Sequence, residues 1–207
     1  IGRSVVNTLQ DKYAEAGSFN TLASTRNADA YVLYLKGREQ YRKQTTESMQ
    51  QARQLFEQAV ALDPEYANGY VGVADTLVLL AEGKTELGVI SADIAASLAW
   101  QNIDKALLRQ PELAEAYAVE GHIFYIQSDF EQAVTHYDQA IELNPSLAIA
   151  YMWKFLALNL LQRFDESLQA LQQAEQLDPL FQTNTYNLGW ALTRAGRFDE
   201  AAAIFKQ

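Results

Sequence analysis

The sequence predicts an all-α protein built from about five helix–turn–helix units in a row, and three observations predict it. The line FEQAVALDPEYANGY at 56–70 returns, nearly unchanged in pattern, as YDQAIELNPSLAIAY at 137–151. Of the four prolines, Pro111, Pro145 and Pro179 fall at one even interval, and Pro64 precedes them by a longer one. Finally, a chain of 207 residues that is 49% hydrophobic, with four prolines and ten glycines, can bury a core and favours helix over sheet.

Alignment on proline gives each place in the repeat a mechanical role. Five residues before each proline stands an alanine: Ala59, Ala106, Ala140 and Ala174. Twelve before stands a small residue, Ala52, Ala99, Ala133 or Ser167, and eight before a large apolar one, Phe56, Ile103, Tyr137 or Leu171. Small residues let two helices approach closely, and the large residue between them fills the groove that results. Proline cannot continue a helix interior, so each Pro marks a stop and a turn. The first half of a unit, as in YAVEGHIFYIQSDF (117–130) and YNLGWALTRAGRF (186–198), carries apolar residues at helical spacing, with Gly121 and Gly189 at matching places.

This pattern resembles the tetratricopeptide repeat. The 34-residue period, the small-residue places, the aromatic after the turn (Phe130, Phe164, Phe198) and the closing proline all match, over roughly residues 30–207. The resemblance implies a right-handed superhelical solenoid in which each unit buries its apolar face against its neighbours.

In chain order, residues 1–16 read as the tail helix of an upstream domain, because Ile1, Val5, Val6, Leu9 and Tyr13 share one helical face. Residues 17–29, rich in Ser, Thr and Asn, read as a linker. Five repeats follow, at about 30–66, 67–113, 114–147, 148–181 and 182–207, the last truncated. Repeat one has a longer turn near Lys43–Thr46. Repeat two carries an insertion, EGKTELGVISADI (82–94), read as a loop ending in a Ser91 cap, either a tolerated surface insertion or a flap on a groove. The chain as a whole reads as a piece of something longer.

Composition narrows the chemistry. A net charge of −10 repels a phosphate backbone, so direct nucleic-acid contact is not expected. Cysteine is absent, which rules out disulfides and thiolate metal sites. The longest apolar stretch, LAIAYMWKFLALNLL (147–161), is too short for a bilayer and holds Lys154 at its centre. There is no phosphate loop, zinc-protease histidine pair or serine nucleophile elbow. His122 and His136 fall on the two helices of one repeat, at no ligand spacing. The expectation is a non-catalytic module with no cofactor and no metal. Glu120 and Lys154, one period apart, are expected to form an ion pair between neighbouring first helices.

In the family that the repeats resemble, first helices line a groove for a peptide. Carried over place by place, this implies Tyr34 and Arg38, with Tyr41 beside them, from repeat one and Asp75 from repeat two. Repeat three offers Glu115, His122 and Tyr125. Repeat four offers Met152, Trp153, Leu156 and Asn159, and repeat five Tyr186, Asn187, Trp190 and Arg194. The carboxylate clamp of chaperone-binding members is replaced by Val71, Asp75, Val119 and Met152. The implied partner is an apolar or basic protein or peptide, with self-association as an alternative. Trp153 and Trp190 have an equally good reading as packing residues. The stretch from Ala28 to Leu77 also resembles the C-terminal repeat regions of bacterial membrane-anchored winged-helix activators and class III adenylate cyclases. That resemblance implies an interaction or sensing part of a larger regulator, cytoplasmic, or periplasmic where the parent is membrane-anchored. A stand-alone adaptor is the alternative.

Overall fold

The computed structural model describes residues 25–81, 90–178 and 184–206. The expected helix at 1–16, most of the 17–29 linker and the bulk of the 82–94 insertion lie outside the described residues. Within them the chain is all helical, and it divides into two compact units, 1–112 and 113–207.

The first unit holds α1 (Ala28–Tyr41), α2 (Thr46–Leu62), α3 (Ala67–Ala81) and α4 (Ala92–Arg109). Asn27 caps α1 by accepting from the backbone N–H groups of Asp29 and Ala30, so the last two residues of the stretch read as linker are already helical. Thr45 and Ser48 form a reciprocal capping box at the start of α2. The turn between α1 and α2, 42–45, is one residue longer than the later turns at 127–129, 161–163 and 195–197. Ser91 caps α4 as its sequence suggested, accepting from Ile94 N–H.

The second unit holds α5 (Ala114–Ile126), α6 (Phe130–Leu143), α7 (Ala148–Leu160), α8 (Phe164–Leu177), α9 (Asn184–Arg194) and α10 (Phe198–Ile204). Its first helices end alike. Ser128, Gln162 and Gly196, one period apart, take positive φ of 65°, 61° and 76°. The next N–H in each case reaches back five residues: Asp129 to Phe124 O, Arg163 to Leu158 O and Arg197 to Leu192 O, all at 2.9 Å. That is the Schellman closure, which satisfies carbonyls a helix end would otherwise leave bare.

Second helices end at the prolines for a different reason. Proline's ring excludes the residue before it from helical geometry. Asp63, Gln110, Asn144 and Asp178 accordingly sit near φ −138° and ψ 88°, and each helix stops one residue earlier.

Packing follows the repeat. Phe56, Ile103, Tyr137 and Leu171 are buried, as are the small residues at the places four before and three after them. Helices pack in sequence within each unit, and first helices also touch each other, α1 with α3 and α5 with α7. The Phe56 ring lies between Gly37 of α1 and Gly72 of α3, where a Cβ would stand 2.5 and 2.8 Å from ring atoms. Only glycine permits that approach.

The expected Glu120–Lys154 pair does not form. Glu120 Oε2 lies 2.9 Å from His136 Nδ1, and Lys154 Nζ lies 2.5 Å from Asp138 Oδ1. Both partners belong to α6, the second helix packed against α5 and α7. His136 and Asp138 are two places apart, about 200° around a helix, so they face opposite neighbours. α5 and α7 therefore each find the polar partner of their charged residue on the intervening helix.

Candidate functional site

Eleven residues after the prolines stand Asp75, His122, Leu156 and Trp190, one place on successive first helices. The candidate residues are the members of that row with their flanks, taken unit by unit, and burial sorts them. Tyr34, His122, Met152, Trp153 and Asn159 are buried; Asp75, Glu115, Tyr125, Leu156 and Asn187 are half-buried; Arg38, Tyr186, Trp190 and Arg194 are exposed.

In the first unit, Tyr34 packs against the rings of Phe56 and Tyr66, with centroids 5.4 and 5.3 Å away. Its hydroxyl accepts from Arg38 Nη1 at 3.3 Å. Tyr34, then Tyr41 and Asp75, push the Arg38 pKa up, so this guanidinium is a permanent cation. Burial pushes the Tyr66 hydroxyl far up as well, which keeps it neutral.

In the second unit the buried members form the wall behind the surface. The His122 ring lies 4.4 Å from Trp153 and 5.8 Å from Tyr125, and Trp153 reaches Tyr137 at 6.2 Å. Trp153 is thus an interior packing residue, 7% exposed. Asn159 donates to Phe155 O at 3.2 Å and to Ser167 Oγ at 2.5 Å, tying α7 to α8. Met152 Sδ lies 4.0 Å from Asn187 Nδ2, which joins α7 to α9.

The outward part is α9. Tyr186 is 67% exposed and Trp190 37%. The Arg194 guanidinium lies 4.9 Å from the Trp190 ring centroid and 5.0 Å from that of Phe164. Such rings offer area at little entropic cost. The charge around them is acidic: residues 113–207 hold 12 of the 26 carboxylates and 5 of the 16 cations.

His136 stacks on Phe124 at 4.9 Å and is turned to Glu120. Among the described residues no group of three His, Asp or Glu is placed to hold a metal ion, and no helix is long and apolar enough to cross a membrane.

Sequence reasoning missed a cavity of about 350 Å³ among α2, α3 and α4. Its signal was Val73, which stands nine residues after its proline, the place Lys154 takes in repeat four.

Comparison with known proteins agrees with the repeat reading. Residues 121–154 match the family model described as TPR repeat, and residues 161–207 the one described as Tetratricopeptide repeat. The chain thus carries tetratricopeptide repeats, units that in general serve as non-catalytic protein-interaction modules. A search of curated proteins finds no match. Among solved structures it is similar to a thermophilic TPR protein of Thermus thermophilus, with 21% identity and a TM-score of 0.66 over 86% of this chain and 88% of that one. It is also similar to PilF of Pseudomonas aeruginosa, at 14% identity and TM-score 0.62 over 86% and 74%. MamA of Desulfovibrio magneticus RS-1 follows at 18% and 0.55 over 88% and 94%. These likenesses concern the fold.

Proposed function

We propose that the chain is a non-catalytic interaction module that holds an apolar or basic peptide along the first helices of its second unit. The carrying observation is the exposed Tyr186–Trp190–Arg194 face of α9, beside half-buried Leu156, in a unit of net charge −7. Aromatic side chains supply the anchoring area, and the acidic surroundings attract a basic partner and speed its encounter.

Selection from a random-peptide library, followed by fluorescence anisotropy, tests this. Enriched peptides should combine aromatic or aliphatic residues with Lys or Arg. Tyr186→Ala with Trp190→Ala should weaken them at least tenfold at unchanged helicity. Binding that survives this double change would sink the proposal, as would enrichment of acidic peptides. A concentration-dependent mass for the chain alone, lost in the same variant, would replace the peptide with a second copy.

In this reading the module is the docking or sensing part of a larger bacterial regulator. The support is the resemblance of residues 28–77 to the repeat regions of such proteins. Reading the parent gene outward from Ile1 checks it: an upstream DNA-binding or cyclase domain is the expected result, and its absence leaves a stand-alone adaptor.

A further inference from the structure

The cavity of about 350 Å³ in the first unit lies away from the row just described. Tyr70, Val73 and Leu77 of α3 form its floor, and all three are buried. Second helices form its walls, with Val60 from α2 and Leu98 from α4 extending the apolar lining. Its size is at the small end of the range for organic-ligand pockets.

The charges at its rim are few and unequal. Arg53 Nε lies 3.5 Å from Glu57 Oε1, and these two largely cancel. Lys105 stands across from them on α4, its Nζ 5.7 Å from the Tyr70 ring centroid, with no carboxylate within ion-pair distance among the described residues. Among the described residues one cation is therefore left over at the mouth of an open cavity whose mixed lining also includes Asn102, in a chain of net charge −10. At cellular ionic strength screening acts over about 8 Å, so this local excess governs what enters.

The second unit puts a different pair of side chains at the same places. Counted from the prolines, Val73 and Glu57 correspond to Lys154 and Asp138. There the lysine reaches from α7 to its aspartate on α6, at 2.5 Å. In the first unit valine stands at the lysine's place, Glu57 turns to Arg53, and Lys105 is left at the rim.

We propose that this cavity binds a small organic monoanion with an apolar body, of the class of medium-chain carboxylates. The chain of the ligand enters over Tyr70, Val73 and Leu77, while its carboxylate stays at the wetter rim with Lys105. The opposite orientation would bury an unpaired charge at high cost.

Methyl NMR of the full chain with sodium octanoate tests this, against octan-1-ol and octylammonium as neutral and cationic probes. Octanoate should shift the Val73, Leu77 and Leu98 methyls saturably, with affinity at least tenfold above either control. Lys105→Glu should remove at least tenfold of that affinity. Val73→Lys should do the same while melting as the parent does, because it rebuilds the pair that α6 and α7 already make. Should Val73→Lys not fold, Leu98→Glu, on an exposed residue at the wall, replaces it with the same expected loss. Equal binding of octanol, absence of saturable shifts at these methyls, or undiminished affinity in the cavity variants would each overturn the assignment. The peptide site on α9 is unaffected by any of these outcomes.

Discussion

The Tyr137 ring lies so close over Gly121 that a Cβ on the glycine would stand 2.6 Å from ring carbons and 2.9 Å from the Ala133 carbonyl oxygen. Gly189 stands in the same relation to Phe205, at 2.5 Å. At the glycine's place repeat four has Phe155, and at the ring's place the smaller Leu171. The repeat therefore keeps total volume across two helices while exchanging it between them.

Gly121→Ala sets two effects against each other. Alanine is better in a helix by about 1 kcal/mol. Overpacking costs about 1–3 kcal/mol, and one of the obstructing atoms is backbone that cannot rotate away. The expected result is net destabilisation of roughly 1–2 kcal/mol in thermal or urea unfolding. Adding Tyr137→Leu should recover part of the loss, because it moves the pair towards the repeat-four solution. A Gly121→Ala protein as stable as its parent would mean the two helices are free to separate.

The two polar contacts that α6 makes with Glu120 and Lys154 should differ in what their loss costs. Glu120 is 8% exposed and leans on His136, whereas Asp138 beside Lys154 is about half open to water. His136→Phe keeps a ring against Phe124 but leaves the Glu120 carboxylate without that partner, an effect of about 1–3 kcal/mol. Lys154→Met should cost no more than about 1 kcal/mol, as exposed pairs do. Chemical denaturation of the two variants gives the comparison directly. Equal losses would mean that water reaches Glu120.

Much of this fold was legible because the repeat writes its packing rules four times. The places of Ala52, Phe56 and Ala59 recur before every proline, and all their equivalents are buried. The turns were legible from the prolines, since the effect of proline on its predecessor is local. Partner choice was not. Glu120 and Lys154 share a repeat position, but which helix each side chain meets depends on the rotation of the helix pair. His122 and Trp153 sit at groove places in the pattern, yet they bury each other at 4.4 Å, a contact between first helices of different repeats. The cavity was invisible for a further reason: a void is set by what a neighbour omits, here the lysine that Val73 lacks.

Arg163 and Arg197 stand one period apart at the N-caps of α8 and α10, each gripping a glutamate three residues on. Arg163 donates to Glu166 at 2.8 and 2.6 Å, and Arg197 to Glu200 at 2.7 and 2.6 Å. The arginine hydrogen bonds hold both carboxyl groups below their ordinary pKa. A carboxylate with a lowered folded pKa contributes stability that is whole above its unfolded pKa, about 4.3, and fades as pH falls through the lower folded value. Arg163→Met should therefore melt slightly below the parent at neutral pH, and the two curves should converge in acid. The Arg163–Glu166 difference should stay under about 1 kcal/mol, because the pair is at the surface. A gap that widened on acidification would contradict the sign.

Trp153 and Trp190 stand on successive first helices, and they differ in burial. Trp153 is 7% exposed and wedged against His122 and Tyr137, so Trp153→Ala opens an interior void. Its cost should be about 3–5 kcal/mol, a large part of the stability of a domain this size. Trp190 is 37% exposed and meets Arg194 over its ring face. Trp190→Ala should cost the fold under about 1 kcal/mol, as surface changes do. Its effect belongs to binding, where an anchoring aromatic is worth about 2 kcal/mol or more. Melting curves and peptide anisotropy on the two variants separate these roles. A Trp190→Ala protein that unfolds like Trp153→Ala would move α9 from the binding surface to the core. If it keeps both fold and affinity, Trp190 is no anchor and the proposed use of the α9 face loses its main support.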